Sequence, residues 1–457
     1  MGGERVPSSF RDPSGFLFQR DGRLYRQVNA SYGEEYEHLF RSGLYESLVG
    51  DGLLVPHEEV VEPAPGAFRV LRPEPIPFVS YPYEWSFGEL KAAALATLEI
   101  EGRAVAHGMG LKDASAYNIQ FRGVRPVLVD TLSFERLERE APWVAYRQFC
   151  QHFLAPLALM SRRDVRLSQL LRIYIDGVPL DLASELLPGR SRLSFGLLSH
   201  LHLHAKSQLR FADEGARPIR RKMGRYGLEA LLASLRTTVE SLEWKPDGDG
   251  WVDYYERTNY APGASENKKR IVAEWLRETA PSVVWDLGAN VGEFSRAASA
   301  AGAYTVAFDS DAGAVEEHYG ICFERGETRV LPLVLDLTNP SAGIGWANRE
   351  RSSLAERGPA DVALALALVH HLAIGNNVPF AQIAEFLAAV CRTLVLEFVP
   401  KTDSQVRRML ATREDVFGDY GTEAFEREFT PFFRIVSREP IRESERTLYR
   451  LERRPRP

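Results

Sequence analysis

Apolar positions along this chain change rhythm near residue 266. Beyond that point, short apolar runs alternate with stretches whose apolar residues recur every three to four positions. A helix is predicted over Lys268–Glu278, with Ile271, Val272, Trp275 and Leu276 on one face. The unbroken run Val283-Val284-Trp285 suits a strand covered on both faces. A helix over Glu293–Ala301 and a strand ending in Val306-Ala307-Phe308-Asp309 come next. Further strands are predicted near Arg329–Leu335, over Asp361–Leu368 and over Thr393–Val399, with a helix near Phe380–Val390 before the last of these. Phe432–Ser437 and Thr447–Leu451 read as a closing hairpin. Such alternation predicts a mostly parallel sheet with helices on both faces.

The first half follows another pattern. Phe16–Val28 alternates around Asp21-Gly22, the signature of a β-hairpin with a two-residue turn. An amphipathic helix is predicted over Glu34–Leu48, an extended proline-rich stretch over Pro73–Pro82, and a second helix over Phe87–Val105. A polar loop containing Asp113 and Asn118 then leads to a short strand, Pro126–Asp130. This is an α+β arrangement, so the expectation is two domains: residues 1–210, a helical linker 211–250 carrying an amphipathic helix over Leu228–Leu242, and an α/β domain 251–457.

Chemistry concentrates where the second half begins. After the strand at Trp285 comes Asp286-Leu287-Gly288-Ala289-Asn290-Val291-Gly292, spaced Asp-x-Gly-x-x-x-Gly. The glycines allow a tight turn and close approach of the main chain to a ligand. Asp309, at the end of the next strand, can accept hydrogen bonds from both hydroxyls of a ribose. A dinucleotide fingerprint has glycine where this chain has Asp286. An acid there repels a pyrophosphate and suits a positively charged ligand. The alternative is a doubly wound fold whose glycine turn binds nothing.

This stretch resembles motif I of the class I S-adenosylmethionine-dependent methyltransferases, and Asp309 matches their ribose-binding acid. The resemblance implies a Rossmann-like sheet with an antiparallel final strand. It also implies S-adenosylmethionine as cofactor, held by Asp286, Gly288, Ala289, Asn290, Gly292 and Asp309. Asp336, after the third strand, stands where the family often contacts the adenine amino group; a turn or helix cap before Thr338 is the alternative. His370 and His371 follow the fourth strand, where a base or substrate-facing residue is implied, one packed and one capping histidine being the bland reading. Glu397 is a weaker candidate for substrate contact. An aromatic lead-in, Trp251–Tyr260, is placed to cover the cofactor, with Tyr260 nearest the motif. Lys268 or Lys269 is a candidate partner for the methionine carboxylate or else a solvated lysine. Trp346–Ser353 reads as a substrate lid or a solvated helix face. The resemblance implies an oxygen or nitrogen nucleophile as acceptor, on a small molecule, a carbohydrate or lipid-linked biosynthetic intermediate, or a protein side chain.

In the first half, Asp113 and Asn118 have the spacing of a kinase catalytic loop, and Asp130 follows a strand, as a magnesium-holding acid does. This half resembles the protein-kinase-like and aminoglycoside-phosphotransferase-like fold. The resemblance implies ATP and magnesium, with Asp113 as base and Asn118 and Asp130 as metal ligands. There are departures: no glycine-rich phosphate loop, Arg26 where a phosphate-binding lysine is expected, and Thr131-Leu132 where kinases have Phe-Gly. The favoured reading is therefore a degenerate kinase-like domain for substrate or partner recognition. A bifunctional enzyme that also transfers phosphate, an unrelated α+β domain with a chance triplet, and a non-enzymatic scaffold are the alternatives. Together, Leu111–Asn118, motif I and Leu366–Leu372 resemble a bacterial family of methyltransferases, some of whose members carry nodulation-related names.

Bulk properties narrow this further. With 457 residues, 45% hydrophobic and 26% charged, the composition is that of an ordinary globular protein. A net charge of −6 argues against bulk capture of nucleic acid. The basic run Arg217–Lys222 reads as a solvated face. Cys150, Cys322 and Cys391 lie too far apart for a metal cluster and fit a reducing cytoplasm. His200, His202 and His204 lack a matching third zinc ligand and read as packed or surface residues. Neither a signal peptide nor an apolar run of membrane-spanning length is present.

Overall fold

The computed structural model describes residues 3–61, 65–138, 140–206, 222–246, 262–411 and 414–455. Tyr260, with the rest of Trp251–Tyr260, and Arg217–Arg221 of the basic run lie outside the described residues. Two compact units are present: Met1–Lys245 with Ile344–Arg351, and Pro246–Gly343 with Ser352–Pro457. Among the described residues no helix is long and apolar enough to cross a membrane.

The first unit carries an antiparallel sheet of β1 (Glu4–Arg5), β2 (Gly15–Arg20), β3 (Arg23–Asn29), β4 (His57–Val60) and β5 (Ala67–Pro73) in the order β1-β2-β3-β5-β4. Asp21 (φ 50°) and Gly22 (φ 71°) form the β2–β3 turn, both left-handed, as a primed two-residue turn requires. Phe18, Tyr25 and Val70 pack on one face of the sheet; Val28 and Leu71, with Tyr32, Tyr36 and Leu132, pack on the other. The single helix expected over Glu34–Leu48 is two, Gly33–Arg41 and Leu44–Gly50, because Gly43 at φ 77° turns the chain between them. The helix Phe87–Ala106 starts at a capping box, with the Ser86 N–H donating to Glu89 Oε2 at 2.8 Å.

Two short pairings then build the polar loop: β6 (Met109–Leu111) with β9 (Phe134–Arg136), and β7 (Ile119–Arg122) with β8 (Arg125–Leu128). Within 211–250, the helix Arg225–Glu240 packs on Phe87–Ala106 inside this unit. Arg236 Nη2 donates to Glu99 Oε2 at 2.7 Å, and Lys91 Nζ to the Glu240 carbonyl at 2.8 Å. Residues Ile344–Arg351 also group here. Trp346–Asn348 form a short, exposed helical turn, as the solvated reading has it, whereas Glu350 is buried and takes a two-pronged bond from Arg11, at 2.6 and 3.0 Å. The Arg351 guanidinium lies 4.2 Å over the Tyr117 ring.

The second unit is an α/β layer structure around a seven-stranded mixed sheet of β10 (Val283–Leu287), β11 (Tyr304–Asp309), β12 (Val330–Val334), β13 (Ala360–Ala365), β14 (Cys391–Phe398), β15 (Phe433–Pro440) and β16 (Thr447–Arg453). The order is β12-β11-β10-β13-β14-β16-β15, with the first five strands parallel to one another and the β15–β16 pair antiparallel. This is the Rossmann-like sheet expected from the resemblance, including its reversed last strand. Ile271, Val272, Trp275 and Leu276 of the helix Pro262–Thr279 pack on Val284, Val362, Leu364 and Val395 of the sheet. The fourth parallel strand is shorter than expected. It ends at Ala365, because Ala367 takes φ 52° and leaves the ladder. Leu366–Leu368 thereby become loop and line a cavity.

Candidate functional site

That cavity, of about 270 Å3, opens where the chain reverses its direction across the sheet, between β10 with β11 on one side and β13 on the other. Ligands of open α/β sheets bind beyond the carboxyl ends of strands at such a switch point. Its walls include Asp286, Gly288, Ala289, Asn290, Asp309, Asp336, Lys268 and His371. Of the residues expected to hold the cofactor, Gly292 is not among those lining the cavity and Tyr260 lies outside the described residues.

The motif folds as a left-handed turn. Gly288 (φ 80°), Asn290 (φ 50°) and Gly292 (φ 77°) all have positive φ. The N–H groups of Gly288 and Ala289 donate to the Phe308 carbonyl at 2.8 and 2.9 Å, and Asn290 N–H donates to Asp309 Oδ2 at 2.8 Å. Asn290 tolerates its conformation because its Oδ1 accepts the Val291 N–H at 2.8 Å. Gly292 begins the helix Glu293–Ala300. From that helix the Ser295 hydroxyl donates to Asp286 Oδ2 at 2.6 Å.

Both acids of the site carry negative charge that the protein only partly answers. Burial pushes the Asp286 carboxyl up to about 6; the Ser295 hydrogen bond opposes this, the charge of Asp309 adds to it and Lys268 opposes it. Burial likewise raises Asp309, against the N–H groups of Asp311 and Asn290. Those two donors take one lone pair on each Asp309 oxygen, at 2.9 and 2.8 Å, so each oxygen keeps acceptor capacity. Asp336 accepts both the Thr338 N–H (2.8 Å) and its hydroxyl (2.7 Å) on Oδ1 while lining the cavity. It is thus a turn cap and a wall residue at once.

The two histidines part company. His371 lines the cavity; His370 is 1% exposed and sits behind it, the ring centroids 4.3 Å apart. Burial, reinforced by the Arg446 charge, lowers His371; burial, then His371 and Arg446, hold His370 well below its ordinary value. Both are neutral at pH 7.

Lys268 is not solvated. It is 6% exposed, its ammonium 2.7 Å from Glu397 Oε2 and 4.8 Å from the centre of the Phe294 ring. Glu397, the weaker candidate for substrate contact, is fully buried, faces Arg446 and does not line the cavity. Lys269 pairs with Glu293 and Glu266. Sequence reasoning missed Ser295, His318, Asp403 and Arg446. Only Ser295, one helical turn past the motif, had a local signal.

In the first unit the expected triplet is linked. Asp113 Oδ1 accepts the Ser115 N–H (2.9 Å) and Gln148 Nε2 (2.8 Å). Asn118 Nδ2 donates to Ser133 Oγ (3.3 Å), whose hydroxyl donates to Asp130 Oδ2 (2.6 Å). Asp130 Oδ1 accepts from Arg26 and from the Leu132 N–H. A guanidinium already neutralises Asp130, so the donor set does not fit magnesium. His200 bonds Tyr146 and Ser234, and His202 bonds Ser184 and Ser191, as packed residues.

No protein-family model matches the chain. Solved structures resemble parts of it. Magnesium protoporphyrin IX methyltransferase (ChlM) of Synechocystis PCC 6803, with bound SAH, is 19% identical at a TM-score of 0.32, over 45% of this chain and 93% of that one. The bifunctional kinase-methyltransferase WbdD is 15% identical at 0.29, over 47% of this chain and 45% of that one. At TM-scores this low neither likeness assigns a function. The nodulation protein NoeA of Rhizobium meliloti (strain 1021) is 36% identical over 464 residues, spanning 98% of this chain and 96% of that protein. On that full-length match, the chain belongs to the NoeA family of nodulation proteins.

Proposed function

We propose that the second unit is an S-adenosylmethionine-dependent methyltransferase acting on an oxygen or nitrogen nucleophile. The observation that carries this reading is the convergence of Asp286, Asp309 and Lys268 on one cavity at the switch point of the sheet. Two partly uncompensated carboxylates beside one ammonium fit a ligand that bears a ribose, an ammonium and a carboxylate. S-adenosylmethionine, when bound, supplies a methyl group on a sulfonium for in-line transfer. Asp309 would hold the ribose hydroxyls, Asp286 the ammonium, and the Gly288–Asn290 backbone would let the ligand approach closely. His371, neutral and in the wall, is the group able to take a proton from the acceptor; His370 packs behind and orients it. Calorimetry with S-adenosylhomocysteine on the full chain tests the reading. Binding that Asp309→Ala weakens is expected, and absence of binding to the unmutated chain overturns it.

The first unit is read as a recognition module for the substrate or a partner. The Arg26–Asp130 pair and the internally satisfied Asp113 support this over phosphate transfer. The acceptor class stays with the sequence expectation of a small molecule or biosynthetic intermediate.

A further inference from the structure

Behind one wall of the cavity runs a line of four charges of alternating sign, drawn from four separate elements. Lys268 comes from the helix Pro262–Thr279, Glu397 from β14, Arg446 from the turn between β15 and β16, and Asp403 from the N-cap of the helix Ser404–Leu410. Lys268 Nζ is 2.7 Å from Glu397 Oε2, Arg446 Nη1 is 3.2 Å from Glu397 Oε1, and Arg446 Nε is 2.7 Å from Asp403 Oδ2. Side-chain exposures are 7%, 0%, 3% and 11% from Lys268 to Asp403. Removing four charges from water is expensive, and replacing such pairs with apolar residues is often neutral or stabilising. Stability alone is therefore a weak reason to keep the line. Its one end in the cavity is Lys268, beside Asp286, whose carboxyl responds to the Lys268 charge.

We propose that Glu397, Arg446 and Asp403 are positioning residues that fix the Lys268 ammonium at the wall, where it would meet the amino-acid end of the cofactor. This rests on the methyltransferase reading. The physical content is preorganisation. A lysine has a flexible four-carbon stem and three donors. Glu397 on one side and the Phe294 ring on another restrict that stem before any ligand arrives, so less rotamer freedom is lost on binding. Arg446 faces the other oxygen of Glu397, and Asp403 faces Arg446 in turn. The line ends in a helix cap: Asp403 Oδ1 accepts the Gln405 N–H at 2.8 Å, so its far end is anchored to backbone.

The test compares two ligands on the full chain by calorimetry: S-adenosylhomocysteine, and 5′-methylthioadenosine, which lacks the amino-acid end. Lys268→Met should weaken the first by at least about tenfold and leave the second within about twofold. Glu397→Gln should show the same selective loss, and adding it to Lys268→Met should cause little further loss. Equal weakening of both ligands shows a merely structural role and overturns the proposal, as does unchanged S-adenosylhomocysteine binding in Glu397→Gln. Should Glu397→Gln not fold, Asp403→Asn, at the more exposed end, carries the same selective expectation. If the unmutated chain binds neither ligand, the methyltransferase reading itself fails; if it binds both and the variants are not selective, only the positioning role fails.

Discussion

Gly292 lies directly against the imidazole of His318: a Cβ on Gly292 would fall 1.8 Å from His318 Nε2. The motif's second glycine is thus fixed twice, by its left-handed φ of 77° and by a buried ring from the helix Ala312–Glu324. Gly292→Ala should destabilise the second unit by at least about 2 kcal/mol, combining backbone strain with overpacking. Adding His318→Ala should recover the overpacking part only. Thermal unfolding of the single and double variants checks this, and full recovery in the double variant would show that φ is not constrained.

Asp309 and Asp336 make a contrasting pair. Asp309→Ala should weaken S-adenosylhomocysteine binding by at least about tenfold, the loss of hydrogen bonds to a charged group. Asp336 already spends Oδ1 on Thr338. Its removal should weaken binding by less than about fivefold while loosening the local turn. Calorimetry on both variants decides, and a larger effect at Asp336 would reverse the ranking of the two acids.

A pH dependence follows from Asp286. Its carboxyl titrates at about 6 in the folded, ligand-free protein, against about 3.9 for a solvated aspartate. The folded chain holds this proton more tightly than the unfolded chain. The group's contribution to stability is therefore fully present below about pH 4 and is lost as pH rises through about 6. A cationic ligand acts in the opposite sense, because it needs the ionised form. Ligand affinity should fall by up to about tenfold per unit as pH drops below about 6, with proton release on binding. Calorimetry in buffers of different ionisation enthalpy measures that release. Asp286→Asn should abolish it, and a flat profile in the unmutated chain would falsify the contact between Asp286 and a ligand cation.

The first unit offers a separate check. Arg26 and Asp130 have side chains that are each 14% exposed; burial raises the Asp130 carboxyl, but Arg26, with the Ser133 and Leu132 hydrogen bonds, outweighs it and holds the group below its ordinary value. Asp130→Ala strands a buried guanidinium and should cost about 3 kcal/mol of stability. ATP with magnesium should leave the melting temperature of the unmutated chain unchanged. A magnesium-dependent shift that Asp130→Ala removes would reinstate phosphate transfer.

What could be read from the chain depended on distance along it. Asp286, Gly288 and Gly292 fall within seven residues, and Asp309 closes the adjoining strand, so their spacing announces a turn and a cavity. The parallel strands announced themselves as unbroken apolar runs. Ala367 gave no warning that it would adopt a left-handed conformation and end β13 early. Gly43 did give one, as a glycine between two amphipathic stretches, yet the apolar period alone ran through it. Lys268, Glu397, Asp403 and Arg446 come together only when the sheet is complete, from places up to 178 residues apart with no shared motif. His318 meets Gly292 for the same reason, through packing of two successive helices.

Arg446 also bears on how the second unit is made and divided. The turn that carries it joins the last two strands, while Lys268 lies on the first described helix of the same unit. A ribosome releases the glycine motif long before it releases Arg446. Until that last hairpin docks, Glu397 lacks Arg446 and the wall behind the cavity is unfinished. The glycine motif is therefore not a transplantable cassette. The smallest fragment expected to bind would run from Pro262 to Arg453, and chains stopped before the final hairpin should carry the whole motif and hold no ligand.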